Sequence, residues 1–220
     1  IDLHLKALKD LGANVSVNGS SINADAALII GTKIILPFPS VGTTENIIIA
    51  SAISKGKTVI VNPAREPEIS DLADFLNHCG AKIYGAGEST IVIDGVNSLY
   101  PYEHTIIPDR ILASTYMSLG AVCSKELTVN NIRQSHLSPV FPVFNEMGCK
   151  IYLSDNSLTL VSPKRLKRVK SIKTMPYPGF PTDSQSPVAV ALSLAKGTSI
   201  LQETIFENRF RYVSELNRFG

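Results

Sequence analysis

The sequence has little net charge, few cysteines and no long apolar run. Lysine and arginine exceed aspartate and glutamate by only two, so the formal net charge is +2, too small by itself to indicate a nucleic-acid-binding protein. No segment reaches the roughly 18 consecutive apolar residues that a membrane-spanning helix needs. We therefore expect neither nucleic acid nor a membrane among the partners. With 44% hydrophobic and 18% charged residues, the composition is that of a packed globular protein.

The three cysteines, Cys79, Cys123 and Cys149, stand at apolar positions in separate parts of the chain. An odd number of cysteines, without a CxxC pair or clustered histidines, argues against disulfides and against a zinc site. We therefore expect reduced thiols packed in the core, as in a cytoplasmic protein, and no bound metal.

An internal repeat is the strongest pattern that the sequence does contain. A helix-like segment that ends in glycine recurs at Gly12, Gly80 and Gly148, with a spacing of 68 residues each time (80 − 12 and 148 − 80). Gly220 opens a fourth copy 72 residues later (220 − 148). A second landmark, a proline followed by Ser, Thr or Asp, stands in phase with the first, at residues 38–40, 107–109 and 180–183. Such a long period indicates repeated supersecondary units that pack on one another.

Hydrophobic periodicity predicts the elements within one repeat. Residues 70–78 have helical spacing and stop at a glycine, whereas residues 82–84 and 90–94 alternate like strands around a glycine turn. Residues 111–122 are helical again, and 127–130 form a strand. The sequence thus predicts an α/β (α+β) fold of repeated β-α-β-α-β-β units, in which nearly all-apolar helices are buried between layers of sheet. Because the chain starts and stops inside a repeat, we expect it to be a section of a longer protein.

Helix starts at the proline landmarks are the candidate chemical sites. Ser40 precedes a predicted helix with Val41 and Gly42 in its first turn, and free N–H groups at a helix start bind anions. Asp183 follows a stiff approach with three prolines in residues 176–181, which suits either a positioned general base or a helix cap. Asp109 has the same two readings. A further cluster at residues 203–210 combines carboxylates and an arginine, as an ion-pair network or an anion clamp would.

Several of these segments together resemble the UDP-N-acetylglucosamine 1-carboxyvinyltransferase family of enolpyruvyl transferases. They occur in the family's order along essentially the whole chain: residues 40–46 (SVGTTEN), 64–69 (AREPEI), 107–111 (IPDRI), 176–185 (PYPGFPTDSQ) and 203–210 (ETIFENRF). The resemblance implies two domains of three β-α-β-α-β-β units each, arranged as an inside-out α/β barrel. It implies that residues 1–107 are the later part of one domain and 108–220 the earlier part of the second, both truncated.

By the same resemblance, the family transfers the enolpyruvyl group of phosphoenolpyruvate to the 3′-hydroxyl of UDP-N-acetylglucosamine and releases phosphate, without a cofactor. Asp183 then corresponds to the carboxylate that contacts and deprotonates the hydroxyl, and Ile205 to the residue whose backbone meets the N-acetyl group. The remaining implied site residues are three for the diphosphate (Ser40, Val41 and Gly42), three for the uridine (Asp2, Leu3 and His4) and two that line the site (Asp109 and Arg209).

The chain also departs from the family's pattern. The mobile loop with the family's Cys or Asp general acid would lie upstream of Ile1, and the other basic residues that hold phosphoenolpyruvate are missing as well. Phe38 stands where some members have a basic residue. We therefore expect this chain alone to be inactive, and expect it to self-associate through apolar surfaces that missing units would cover.

Two alternatives remain open at this point. The chain could be a section of another enolpyruvyl transferase with a different acceptor, such as 5-enolpyruvylshikimate-3-phosphate synthase. It could also be a non-catalytic repeat scaffold, although a scaffold has no need of the stiff approach to Asp183.

Overall fold

The structure is a computed structural model in which residues 1–219 are described. The chain divides into two compact units, Ile1–Ile107 and Pro108–Gly220, and each unit is described by itself. The division falls at the crossover expected from the sequence; that each unit is part of a larger domain stays a prediction. Gly220, which opens the fourth repeat, lies outside the described residues.

The first unit contains three helices and six strands. In chain order they are α1 (Asp2–Asp10), β1 (Asn14–Asn18), β2 (Ser21–Asp25), β3 (Lys33–Ile35), α2 (Val41–Ala52), β4 (Lys57–Val61), α3 (Pro67–His78), β5 (Lys82–Tyr84) and β6 (Thr90–Asp94). Strands β1 and β2 form an antiparallel pair. The other four form a sheet in the order β3-β4-β6-β5, in which only the β3–β4 pair is parallel.

The core of the first unit is mainly aliphatic. Leu11 from the end of α1, Ile47 and Ile48 from α2, and Ile91 and Ile93 from β6 are all at most 1% exposed. The alternation of buried and half-buried residues along β4 and β6 places one face of the sheet against this core. Burial of one sheet face fixes the strand register, which in turn fixes where each strand ends.

The second unit contains five α-helices, one 3₁₀ helix and five strands among its described residues. In chain order they are α4 (Arg110–Cys123), β7 (Glu126–Asn130), α5 (Gln134–Leu137), α6 (Phe141–Glu146), β8 (Lys150–Ser154), β9 (Ser157–Val161), β10 (Ser171–Lys173), the 3₁₀ helix (Thr182–Ser184), α7 (Gln185–Ser193), β11 (Ile200–Gln202) and α8 (Arg211–Arg218). Strands β7-β9-β8 form an antiparallel sheet, and β10 pairs with β11 in parallel.

The three repeat glycines end their helices in the same way. Gly12, Gly80 and Gly148 have φ angles of 96°, 103° and 92°, a conformation that favours glycine. In each case the glycine N–H and the following N–H donate to carbonyls of the last helical turn, as Gly80 to Asn77 (3.0 Å) and Ala81 to Leu76 (2.9 Å) show. These paired bonds form a Schellman motif, so the period read from the sequence is a repeated helix stop.

The predicted β-α-β-α-β-β order is complete in β3-α2-β4-α3-β5-β6. The next copy departs from it in two places, since residues 101–109 form no strand and the second helix is split into α5 and α6. Pro139 lies in the break, where it cannot donate the N–H that a continuous helix needs, and Pro142 lies in the first turn of α6.

Two packing predictions need correction. Cys79 and Cys149 are buried, but Cys123 is exposed because it ends α4 where the chain leaves the core. The apolar helices are not covered on every side either. Ile49 of α2, Leu119 of α4 and Val190 of α7 are 54%, 49% and 39% exposed, since no described element packs on those faces.

Candidate functional site

Both units contain a parallel strand pair whose carboxyl ends lie next to the start of a helix. The registers correspond, because Ile35 pairs with Val61 in the first unit and Lys173 with Gln202 in the second. The next backbone bond is also the same in both: Leu36 N–H donates to Val61 and Thr174 N–H to Gln202, each at 3.0 Å. Carboxyl ends of parallel strands are where α/β proteins commonly bind ligands.

In the first unit, the start of α2 presents the groups of an anion site. Ser40 is the N-cap residue, as predicted, and its side chain accepts from Thr43 N–H at 3.4 Å. The Ser40 carbonyl accepts from Thr44 N–H at 3.0 Å. Helix geometry leaves the N–H groups of Val41 and Gly42 without an intrahelical acceptor, and the positive end of the helix dipole lies at the same place. This arrangement suits a phosphate or diphosphate.

The first turn of α1 lies beside the start of α2. The Asn46 side chain donates from Nδ2 to Nδ1 of the His4 ring (2.6 Å). A Cβ atom at Gly42 would lie 3.1 Å from His4 Cε1, so the ring packs closely against the glycine. Asp2 and Leu3 belong to the same turn of α1. The structure therefore brings this predicted group close to the predicted anion site.

In the second unit, Asp183 lies in the 3₁₀ helix that precedes α7. Its reading as a helix cap is wrong, since neither the 3₁₀ helix nor α7 has a side-chain cap. The connection from β10 to α7 is longer than the β3–α2 connection, and its extra residues make the 3₁₀ turn. The exposed Asp183 carboxylate instead accepts a hydrogen bond from Arg209 Nη2 in an ion pair.

Glu203 is the first residue after β11, and its carboxylate gathers five donors. Oε2 accepts from Thr182 Oγ1 (2.8 Å) and Gln185 Nε2 (3.0 Å). Oε1 accepts from Thr174 Oγ1 (2.9 Å) and from the N–H groups of Ile205 (2.7 Å) and Phe206 (3.1 Å). Partial burial by itself raises the pKa of Glu203, but the hydrogen bonds outweigh it and hold the pKa below its ordinary value.

The segment after Glu203 carries two more of the predicted site residues, Ile205 and Arg209. Because the Ile205 N–H donates to Glu203, a backbone contact from Ile205 to a ligand would have to use its carbonyl oxygen. The guanidinium of Arg209 lies over the Phe206 ring, 5.2 Å from the centroid. This cation–π contact helps to hold the guanidinium in place.

Asp109 has the capping role. Its carboxylate accepts from Ile111 N–H (2.7 Å) and Leu112 N–H (2.9 Å) at the start of α4. It also lies at a shallow depression of the second unit whose lining includes Arg110, Arg133 and His136. The structure does not bring Asp109 into contact with the Glu203 cluster, so its predicted site-lining role is untested.

Sequence reasoning recognised the 203–210 cluster but not what Glu203 does. Its prediction of an ion-pair network or anion clamp is replaced by a hydrogen-bond centre, with the ion pair formed by Arg209 and Asp183. A signal was available in the repeat: the residue directly after the corresponding strand is Asn62 in one copy and Asn131 in another, and Glu203 breaks that pattern.

Within residues 1–219, no three His, Cys, Asp or Glu side chains are grouped to hold a metal ion. The helices of that same stretch are all too short or too polar to cross a membrane.

A family model described as EPSP synthase (3-phosphoshikimate 1-carboxyvinyltransferase) matches residues 1–220. The chain belongs to this family. Among curated members it is 49% identical over 220 residues to UDP-N-acetylglucosamine 1-carboxyvinyltransferase 2 of Caldanaerobacter subterraneus subsp. tengcongensis, covering 100% of this chain and 53% of that protein. It is 48% identical over 223 residues to the Finegoldia magna UDP-N-acetylglucosamine 1-carboxyvinyltransferase, of which it covers 52%. These relatives confirm the resemblance, and the chain spans about half of their length.

Solved structures of the family have the same fold. The enolpyruvyl transferase NikO from Streptomyces tendae superposes with a TM-score of 0.90 at 24% identity, over 100% of this chain and 55% of that one. EPSP synthase from Acinetobacter baumannii gives a TM-score of 0.62 at 17% identity, over 97% of this chain and 52% of that one. The predicted α/β enolpyruvyl transferase fold is thereby confirmed.

Proposed function

We propose that this chain is the central section of a transferase that moves the enolpyruvyl group of phosphoenolpyruvate to the 3′-hydroxyl of UDP-N-acetylglucosamine and releases phosphate. The identity of nearly half the residues to two relatives named for this activity supports the proposal. Such an enzyme acts in the cytoplasm in peptidoglycan synthesis, and so serves cell-wall growth and division. The observation that carries the proposal is the exposed pair of Asp183 and Arg209 beside the β10–β11 strand ends.

Asp183 is the proposed general base. An exposed ion pair contributes little to folding stability, about 0–1 kcal/mol, so a ligand can replace either partner at low cost. A substrate hydroxyl in place of Arg209 would donate to the carboxylate and transfer its proton to it as the hydroxyl oxygen bonds to the enolpyruvyl carbon. The bond from that carbon to the phosphate oxygen then breaks, and in the net reaction the proton leaves with the released phosphate. Arg209, released from the pair, would face the negative charge of the substrates.

The other contacts with UDP-N-acetylglucosamine are assigned unit by unit. In the second unit, the Ile205 carbonyl would accept the N–H of the N-acetyl group. In the first unit, the N–H groups of Val41 and Gly42 with the Ser40 hydroxyl would hold the diphosphate. The uridine would contact the first turn of α1 through Asp2, Leu3 and His4.

We further propose that the two units are incomplete domains, the later part of one (1–107) and the earlier part of another (108–220). The chain alone would then lack the general acid and most charges for phosphoenolpyruvate and would be inactive. Its exposed apolar helix faces favour self-association. Phosphate release by the isolated chain with both substrates would contradict the expected inactivity.

A second candidate is a family member that uses a different acceptor. It is favoured by the family description, which names 3-phosphoshikimate as the acceptor. The first candidate is favoured by the 49% and 48% identity to relatives that are named as UDP-N-acetylglucosamine 1-carboxyvinyltransferases.

Calorimetric titration of the chain with UDP-N-acetylglucosamine, shikimate 3-phosphate, UMP and GMP tests both candidates. We expect binding that prefers the uridine sugar and weakens at least tenfold in Asp183→Asn, which preserves shape but removes the charge. Preference for shikimate 3-phosphate would select the second candidate. Equal binding of GMP and UMP would indicate a general anion site, and the assigned residue roles would then be wrong.

A further inference from the structure

Glu203 stands between the two segments that carry the proposed site of the second unit. One segment holds Asp183 in the 3₁₀ helix, and the other holds Ile205 and Arg209 after β11. Each oxygen of the Glu203 carboxylate accepts hydrogen bonds from a different one of these segments. Oε2 binds Thr182 and Gln185, the residues on either side of Asp183 and Ser184, whereas Oε1 binds the N–H groups of Ile205 and Phe206.

The donors around Glu203 include side chains that solvent does not reach. Thr174 and Gln185 are both fully buried, and both donate to the carboxylate. Thr174 also accepts from Thr204 N–H at 2.9 Å, while the Thr204 hydroxyl donates to the Thr174 carbonyl at 2.5 Å. The charged acceptor therefore belongs to a connected network, and charged hydrogen bonds of this kind are about twice as strong as neutral ones.

The internal repeat shows that the fold itself does not require a carboxylate here. In two other copies the residue directly after the corresponding strand is asparagine, Asn62 with φ 59° and Asn131 with φ 54°. Asn62 makes a neutral bond from Nδ2 to the Leu36 carbonyl (2.9 Å), and its copy pairs the strands in the same register. Only in the copy that carries Asp183 and Arg209 does a glutamate stand at this position.

We propose that Glu203 is a positioning residue that holds Asp183 and Arg209 in their mutual geometry, with one carboxylate oxygen anchoring each segment. The inference deepens the proposed function and rests on it for the role of Asp183. Glu203 itself need not touch substrate. Since a displacement of about 1 Å at a reacting group can lower a rate about 100-fold, loss of either anchor reduces the rate through Asp183.

The first test measures the anchoring without reference to activity. Hydrogen–deuterium exchange with mass spectrometry is recorded on the 220-residue chain for peptides that contain residues 182–185 and 203–207. In Glu203→Gln, we expect both peptides to exchange about tenfold faster, because the amide offers one neutral acceptor oxygen where the carboxylate offers two charged oxygens to five donors. Unchanged exchange in both peptides would overturn the proposal.

Glu146→Gln is the matched control for that measurement. Glu146 also accepts a main-chain hydrogen bond, from Lys170 N–H at 2.8 Å, in the same unit. Glu146→Gln removes the same charge as Glu203→Gln, and we expect it to leave hydrogen–deuterium exchange in the peptides with residues 182–185 and 203–207 unchanged. Equal acceleration in Glu146→Gln would mean a general loosening of the unit and would also overturn the proposal.

The second test uses the full-length transferase in which we propose that the chain lies. Glu203→Gln should lower kcat about 10- to 100-fold with the KM for phosphoenolpyruvate unchanged, and the double variant with Asp183→Asn should be no slower than Asp183→Asn alone. A purely structural role predicts independent, multiplying losses, which would overturn the inference. If Asp183→Asn stays fully active while exchange responds as expected, the proposed function is wrong and the anchoring by Glu203 stands.

Discussion

The strand pairs β3–β4 and β10–β11 have the same register, but the residues directly after them differ in chemistry. In the first unit, the Asn62 side chain donates a neutral hydrogen bond to the Leu36 carbonyl, and the helix α2 that connects β3 to β4 leaves the N–H groups of Val41 and Gly42 without intrahelical acceptors. In the second unit, the Glu203 carboxylate accepts from five donors, and the neighbouring segments carry the ion pair of Asp183 and Arg209. The same strand pairing thus ends beside helix N–H groups that lack intrahelical acceptors in one unit, and beside a hydrogen-bonded carboxylate in the other.

This difference shows that a repeated unit can keep its backbone pairing while the residue after the strand changes its use. The two strand ends should differ most in what they contribute to stability. Glu203→Ala should lower the free energy of unfolding by about 2–4 kcal/mol, because it leaves the buried donors of Thr174 and Gln185 without an acceptor. Asn62→Gly, which removes the bond to Leu36 and tolerates the φ of 59°, should cost only about 1 kcal/mol. Urea denaturation followed by circular dichroism measures both, and equal losses would contradict the contrast.

Gly42→Ala tests whether the start of α2 in the first unit binds the ligand. The new methyl group would lie 3.1 Å from the His4 ring and push it aside, while the better helix propensity of alanine offsets part of that cost. We expect stability to change by less than about 1 kcal/mol but binding of UDP-N-acetylglucosamine to weaken about tenfold, near 1.4 kcal/mol. Calorimetry would report it, with Ala50→Gly on the same helix as a control for helix stability alone.

Acidification should affect the second strand pair more than the first. Since the folded pKa of Glu203 lies below its unfolded value of about 4.3, its contribution to stability is present above that value and is lost as pH falls through the folded pKa. The stability of Glu203→Gln should therefore fall less than that of the wild type when the pH is lowered from 5 to acid conditions. Asn62→Gly should leave the pH dependence of stability unchanged. Unfolding free energies across this range measure it; identical profiles for wild type and Glu203→Gln would contradict the assignment.

Thiol chemistry gives the smallest effect, without a change in stability. Cys123 is exposed, whereas Cys79 and Cys149 are buried, and burial raises the pKa of the Cys149 thiol to about 11. A disulfide reagent at neutral pH should modify one thiol quickly and two slowly, because the thiolate is the reactive form. Cys123→Ser should abolish the fast phase. A fast phase that survives would show that a buried thiol is accessible.

Local patterns were sufficient for most of the fold. The strands 82–84 and 90–94 have the predicted bounds, and the helix predicted at 70–78 differs only by starting at Pro67. Proline at the first turn of a helix is favourable, so its presence was a sign that the helix begins earlier. Periodicity reports which face of an element is buried, and that information is local. The exposure of Cys123 was missed because a helix end can leave the core within one turn.

The candidate site was harder to predict because its contacts are distant in sequence. Ser40 follows from a local capping pattern, and the structure confirms it as a cap. Asp183 looked like the same pattern, but its partner Arg209 lies 26 residues away. The role of Glu203 depends on donors at residues 174, 182 and 185, which meet only when β10 and β11 pair in parallel. A motif identifies such residues, but the strand register decides what they touch.

The longer connection between β10 and α7 has a consequence for how members of this fold can diverge. The register of β10 and β11 ends at Lys173, and the Thr174 N–H makes the next bond, to Gln202. Insertions or deletions at residues 175–184 therefore change where the helix start and Asp183 lie while the bonds between β10 and β11 stay in place. We therefore expect natural variation in acceptor choice to follow the length of this connection, while the strands on either side vary little in length.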